Sequence, residues 1–157
     1  MEITLVTIGK TDNAKLVSLI SDYQKRLSHY IKFNIEEIPD IKNSKTLSEE
    51  QQKKIEGEKI LNQLKPTDRV VLLDEKGKHF KSKTFAQYLQ KQLNSGVKRL
   101  VFIVGGPYGF SDEIYAKAEA KIALSSMTFS HQMVRLFFVE QLYRGFTILK
   151  NEPYHHE

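Results

Sequence analysis

Leu100 to Val104 are five apolar residues in a row, rich in β-branched and aromatic types, and Gly105-Gly106-Pro107-Tyr108-Gly109 follows them directly. Such a run predicts a strand buried on both faces, as in a parallel sheet covered by helices. Three glycines and a proline within five residues predict a sharp turn with a bare backbone. Ser111 then reads as a helix N-cap, with Asp112 and Glu113 in the first turn. A strand feeding a glycine turn and a helix is where open α/β sheets hold ligands. The turn is not G-x-G-x-x-G, and no G-K-[ST] follows it. Taken alone, it also fits a plain tight connection.

The rest of the chain supplies partners for that strand. Ile3–Ile8 and Phe33–Ile38 read as strands, the second stopped by Pro39-Asp40. Val70–Leu73 reads as a third, short and wholly apolar, ending at Asp74-Glu75-Lys76-Gly77. Leu16, Leu19, Ile20, Tyr23 and Leu27 recur at helical spacing and predict a helix over Asn13–His29. Ser48 and Gln51 have the capping-box form, opening a helix that ends before Pro66 and is slightly weakened by Gly57. Phe85, Leu89 and Leu93 mark another, begun near Ser82. After the glycine turn, a short helix over Ile114–Ala120, a fifth strand over Ile122–Ser125 and a long helix over His131–Leu149 are predicted. The last helix is apolar on more than one side, which suits a central position or an interface, and a dimer interface is the expectation. Strands alternating with helices make residues 1–157 one α/β domain with a largely parallel sheet.

Composition narrows the classes. The chain has 157 residues and no cysteine, so disulfides and thiolate metal sites are excluded. Its N-terminus lacks the basic and apolar regions of a signal peptide, and its apolar runs are too short to span a bilayer. The expectation is a cytoplasmic protein with no membrane association. The net charge is +5, and residues 40–99 hold 14 Lys and Arg against 8 Asp and Glu. Lys76, Lys78, Lys81 and Lys83 form the densest part. Such a stripe suits a polyanionic partner, and equally a solvated surface.

Three strand ends share a character. Leu73-Asp74, Gly105-Gly106 and Leu124 to Phe129 are apolar or glycine-rich with few charges, which suits a flat, mostly apolar ligand held by backbone groups. His131 and Arg135 share a face near the start of the last helix, and Glu140 and Arg144 repeat that spacing as a possible ion pair. Tyr154, His155 and His156 stand in the terminal tail. Two adjacent histidines do not make a metal site without further ligands, so no metal is expected.

The motifs I-V-G-G-P-Y-G-F-S at 103–111, L-S-S-M-T-F-S-H at 124–131, V-R at 134–135, E-Q-L-Y-R at 140–144 and N-E-P-Y-H at 151–155 carry a resemblance. With L-V-T-I-G at 5–9 and E-I-P at 37–39, the chain resembles, end to end, the ribosomal RNA large subunit methyltransferase H family of the SPOUT class. The resemblance implies an α/β fold with a deep C-terminal trefoil knot. It implies S-adenosylmethionine bound at Leu73, Gly105, Leu124, Ser125, Ser126, Met127, Thr128 and Phe129. It also implies a homodimer, formed through the last helix, that methylates N3 of a pseudouridine in 23S rRNA of assembled ribosomes. The sequence departs from the family at two places. Gln132 stands where a proline commonly follows the histidine, and His156 stands where the tail commonly has an arginine.

On that basis His155 is the candidate for assisting loss of the N3 proton or orienting the base. Tyr154 is the candidate for stacking on or hydrogen-bonding the nucleobase, and Arg135 for holding a phosphate or the developing charge. Lys76, Lys78, Lys81, Lys83 and His156 are the expected RNA contacts. A SPOUT enzyme acting on tRNA, and a ribosome-associated RNA-binding protein without catalysis, are the alternatives.

Overall fold

The computed structural model describes residues 1–157. Strands form at Glu2–Ile8 (β1), Lys32–Ile38 (β2), Arg69–His79 (β3), Arg99–Val104 (β4) and Ala120–Ala123 (β5). Helices form at Ala14–Leu27 (α1), Glu49–Gln63 (α2), Ser82–Asn94 (α3), Asp112–Lys117 (α4) and His131–Leu149 (α5). The strands make one sheet in the order β2-β1-β4-β3-β5, and every pairing is parallel. The apolar run that predicted a doubly covered strand is the middle of this sheet, and all six residues of β4 are buried.

Period-two alternation along β4 sends its side chains to two cores. Leu100, Phe102 and Val104 join residues of α1, α3 and α5. Val101 and Ile103 join Ile60 of α2, Ile114 of α4 and Phe110. The ring of Phe102 lies 4.7 Å, centroid to centroid, from that of Phe138 in α5. The alternation therefore fixes which helices cover which face. No helix is long and apolar enough to cross a membrane.

Three boundaries differ from the sequence reading. β3 does not end at Asp74. Its pairing with β5 shifts register between Leu73 and Lys78, so both of these oppose Ile122, and the chain re-enters the ladder through His79. The intervening residues bulge outward, held by Asp74 Oδ1 accepting from the Lys76 N–H at 2.8 Å. Gly77 is required there, because a Cβ would lie 2.6 Å from the backbone of Lys121 and Ile122. α4 stops at Lys117 and β5 begins at Ala120, so Leu124 and Ser125 belong to the loop that follows.

Gly57, a weak point in the helical propensity of α2, has a packing reason. A Cβ there would collide with Ser111 Oγ, the N-cap of α4. The bare helix surface brings α2 against the segment that follows β4.

Candidate active site

The bulge in β3 and the segments that follow β4 and β5 enclose a cavity of about 530 Å3. Leu73, Gly105, Leu124, Ser125, Met127, Thr128 and Phe129 line it, so seven of the eight positions expected to hold a cofactor meet in one place. Ser126 is the eighth and stands outside the lining. Ser125 Oγ accepts from the Met127 N–H at 3.0 Å, which turns the loop and leaves Ser126 exposed at its bend. Gly105 contributes backbone, and a Cβ there would lie 3.1 Å from the Phe110 ring.

Sequence reasoning put Asp74 at one of the three strand ends and Lys76 among the RNA contacts, but missed the polar wall they form with Glu75 and Tyr115. Asp74, Glu75, Lys76 and Tyr115 also line the cavity, with His131 and Val134 from the first turn of α5. Tyr115 donates to Asp74 at 2.6 Å, and Thr128 donates to Glu75 at 3.0 Å. Burial, and then the bond to Asp74, push the Tyr115 hydroxyl up to about 12, so it stays a donor. The one signal for these acids is that they are the charges nearest a strand end, and their local composition is that of a turn.

Glu56 is a second omission. It is 3% exposed, its Oε1 has no hydrogen-bond partner, and it lies under the glycine turn, where a Cβ on Gly106 would collide with both its oxygens. Burial pushes its carboxyl up to about 7, helped by the nearby Asp40 and opposed by Lys59. Its position on a lysine- and glutamate-rich helix, between Ile55 and Gly57, gives no sign of burial.

Arg135 is buried where the start of α5 meets the loop after β1. It is 1% exposed and donates to Ile8 O at 2.8 Å, Gly9 O at 3.0 Å, Thr11 Oγ1 at 3.1 Å and His131 O at 3.1 Å. With these four bonds it braces the loop after β1 against α5, which leaves it no open face for a phosphate. The expected contact of Arg135 with a phosphate or the developing charge would have to replace these bonds.

The tail does not reach the cavity of its own chain. Asn151, in the left-handed region at φ 55°, turns the chain back along α5. Tyr154 hydroxyl donates to Glu140 at 3.0 Å and lies 3.2 Å from the Tyr23 hydroxyl. Arg144 lies over the Tyr154 ring, 4.7 Å from its centroid, and also pairs with Glu140. His155 Nδ1 is 3.3 Å from Arg144 Nη1. Glu140 is nine residues beyond His131, which is about 13 Å along a helix axis. His156 is exposed, and so are Lys76, Lys78, Lys81 and Lys83. Lys76 alone of the four also lines the cavity, and Lys83 donates to the Glu157 carbonyl at 3.0 Å.

With this geometry in hand, the similarities are informative. The family described as "Predicted SPOUT methyltransferase" matches residues 1–155. A ribosomal RNA large subunit methyltransferase H of Flavobacterium johnsoniae is 68% identical over 157 residues, covering 100% of both chains. The protein of the same name from Parabacteroides distasonis is 61% identical, again over the full length of both. Among solved structures, a probable methylase family protein from Haemophilus influenzae shares the fold at 13% identity. Its TM-score is 0.50, over 95% of this chain and 66% of that one. The chain belongs to the SPOUT methyltransferase family, in the group of the ribosomal RNA large subunit methyltransferases H.

Proposed function

We propose that the chain methylates N3 of a pseudouridine in 23S rRNA of the assembled ribosome, using S-adenosylmethionine and acting as a homodimer in the cytoplasm. The observation that carries this reading is the cavity formed jointly by the bulge in β3 and the loops after β4 and β5. Its volume of about 530 Å3 lies inside the range of roughly 300–1,000 Å3 usual for small-molecule sites. Its lining suits this cofactor. Leu73, Leu124, Met127 and Phe129 offer apolar walls to an adenosine, and Gly105 offers bare backbone. Asp74 and Glu75 offer negative charge to a cationic ligand. When bound, the cofactor supplies a methyl group activated on a sulfonium.

The protein's own residues must then position the base and ease loss of its N3 proton. His155 is the proposed catalytic residue and Tyr154 the proposed stacking or hydrogen-bonding contact. Since Nδ1 of His155 is engaged by Arg144, Nε2–H, buried beside the Glu157 carboxylate and without a hydrogen-bond partner, is the group that donates to a base oxygen once RNA displaces the chain end, and so stabilises charge as N3 loses its proton. Ser126 holds the bend of the cofactor loop. Lys76, Lys78, Lys81, Lys83 and His156 contact RNA phosphates. The threading of the C-terminal segment into a knot belongs to the same proposal.

The distance between tail and cavity supports the dimer. One chain does not bring its own Tyr154 and His155 to its own cofactor loops, whereas the tail of a second copy can approach them. Phe137 on α5 and Val17 and Leu19 on α1 are large apolar side chains left exposed on the helices concerned.

The test is methyl transfer from labelled S-adenosylmethionine to ribosomes from a strain lacking this protein, with the modified nucleotide mapped. Label at one pseudouridine N3 of 23S rRNA is the expected result. Label only in tRNA would move the activity to another RNA. Failure to bind the cofactor by calorimetry would leave an RNA-binding protein without catalysis.

A further inference from the structure

We infer that Glu56 is a positioning residue for the cofactor cavity, its neutral carboxyl packing beneath Gly106 and holding the Gly105-Gly106 turn in its binding shape, so that ionisation of that carboxyl loosens the turn and weakens cofactor binding. The inference rests on the proposed cofactor site. Three observations carry it. Glu56 is almost fully buried, and Oε1 has no hydrogen-bond partner, an arrangement that suits a neutral acid and penalises a carboxylate. Its two oxygens occupy the space where a side chain at position 106 would lie, so carboxyl and glycine turn are in direct contact. The next residue, Gly57, packs on Ser111 in the same way, so α2 braces the segment from Gly106 to Ser111 at both ends.

The charged groups acting on Glu56 are Asp40, in the loop after β2, and Lys59, on α2. Gly106 and Ser111, which face this part of α2, carry no charge. Asp40 is itself packed on Gly9, the residue after β1, where a Cβ would lie 2.6 Å from its carboxylate. Two carboxyl groups thus sit over the glycines that end two neighbouring strands, and Asp40 disfavours a charge on Glu56.

The experiment is calorimetric binding of S-adenosylhomocysteine from about pH 5.5 to about pH 8.5 to the wild type, Glu56→Gln and Asp40→Asn. Titration of the ligand is common to all three and cancels. The wild type is expected to bind about tenfold more weakly at the upper pH, the factor that one pKa unit of coupling gives. Glu56→Gln keeps the neutral shape and should bind equally well across the range. Asp40→Asn changes an exposed loop residue and should move the midpoint to lower pH, which keeps the idea testable if Glu56→Gln does not fold. A wild-type affinity that is independent of pH, a slope shared with Glu56→Gln, or an unmoved midpoint in Asp40→Asn overturns the inference. Absence of binding at every pH overturns the proposed cofactor as well, so the two failures are distinct.

Discussion

Arg144 donates to Nδ1 of His155 at 3.3 Å, and an arginine can only donate, so the proton of a neutral His155 ring is on Nε2. Nε2 itself lies 3.4 Å from the Glu157 carboxylate but makes no hydrogen bond. Glu140 holds Arg144 in turn, and its carboxylate raises the Arg144 guanidinium above its ordinary value. Glu140 and Arg144 on α5 therefore fix the tautomer of His155, eleven positions beyond Arg144. Removing the donor with Arg144→Gln should lower single-turnover methylation about ten- to a hundredfold, the size of one charge-assisted hydrogen bond. Binding of S-adenosylhomocysteine should be unchanged. A variant that methylates normally would remove Arg144 from this role.

Arg135 leads to the opposite expectation. Its bonds to the carbonyls of Ile8 and Gly9 satisfy the backbone where β1 leaves the sheet. Arg135→Met leaves the Ile8 carbonyl buried without that donor and the Gly9 carbonyl with only the long 3.4 Å bond from Thr7 Oγ1, at about 1–3 kcal/mol each. Urea denaturation should show a destabilisation of roughly 3 kcal/mol or more. If Arg135 instead served the substrate, stability would hold while turnover collapsed.

These two arginines show where the sequence is legible. Spacing on a helix puts Arg144 opposite Glu140, because i and i+4 are neighbours by geometry alone. It also puts Arg135 on a face with His131, and the two are bonded, but the partners that matter lie 126 and 127 residues earlier in the chain. No local pattern reports such a contact. The same division holds elsewhere. The buried run Leu100–Val104 and the limits of α5 are readable because periodicity is a local property. The extension of β3 is not, since Asp74-Glu75-Lys76-Gly77 has the composition of a turn and becomes a bulge only through pairing with β5. Seven of the cavity residues are readable as loop character plus family motif. Glu56 is not, because burial of an acid depends on what packs over it.

Glu56 also sets a pH dependence of folding. Its folded pKa of about 7 lies above the ordinary glutamate value of 4.5, so the native state holds this proton more tightly than the unfolded chain. The resulting stabilisation is complete below pH 4.5 and is lost as pH rises toward and through 7. In Glu56→Gln that slope disappears. The variant should match the wild type near pH 4.5 and exceed it near pH 8 by on the order of 1–3 kcal/mol. Denaturant titrations at the two pH values measure the difference. Equal gains at both would mean that folding does not raise the affinity of this carboxyl for its proton.

The four lysines at and after the bulge in β3 divide by position. Lys78, Lys81 and Lys83 are exposed and outside the cavity, whereas Lys76 is exposed and also lines it. Lys78 is steadied by the Phe80 ring, 5.2 Å from its centroid, and Lys83 by the carbonyl of Glu157. Each phosphate that a lysine no longer neutralises should reduce the slope of log affinity against log salt by roughly 0.7–0.9. Replacing Lys78, Lys81 and Lys83 together by glutamine should therefore flatten the slope for ribosome binding by about two units. Affinity for S-adenosylhomocysteine should stay the same. Lys76→Gln should change the salt slope by the share of a single phosphate and alter cofactor affinity as well, because Lys76 also lines the cavity. An unchanged slope in the triple variant would assign RNA binding to another surface.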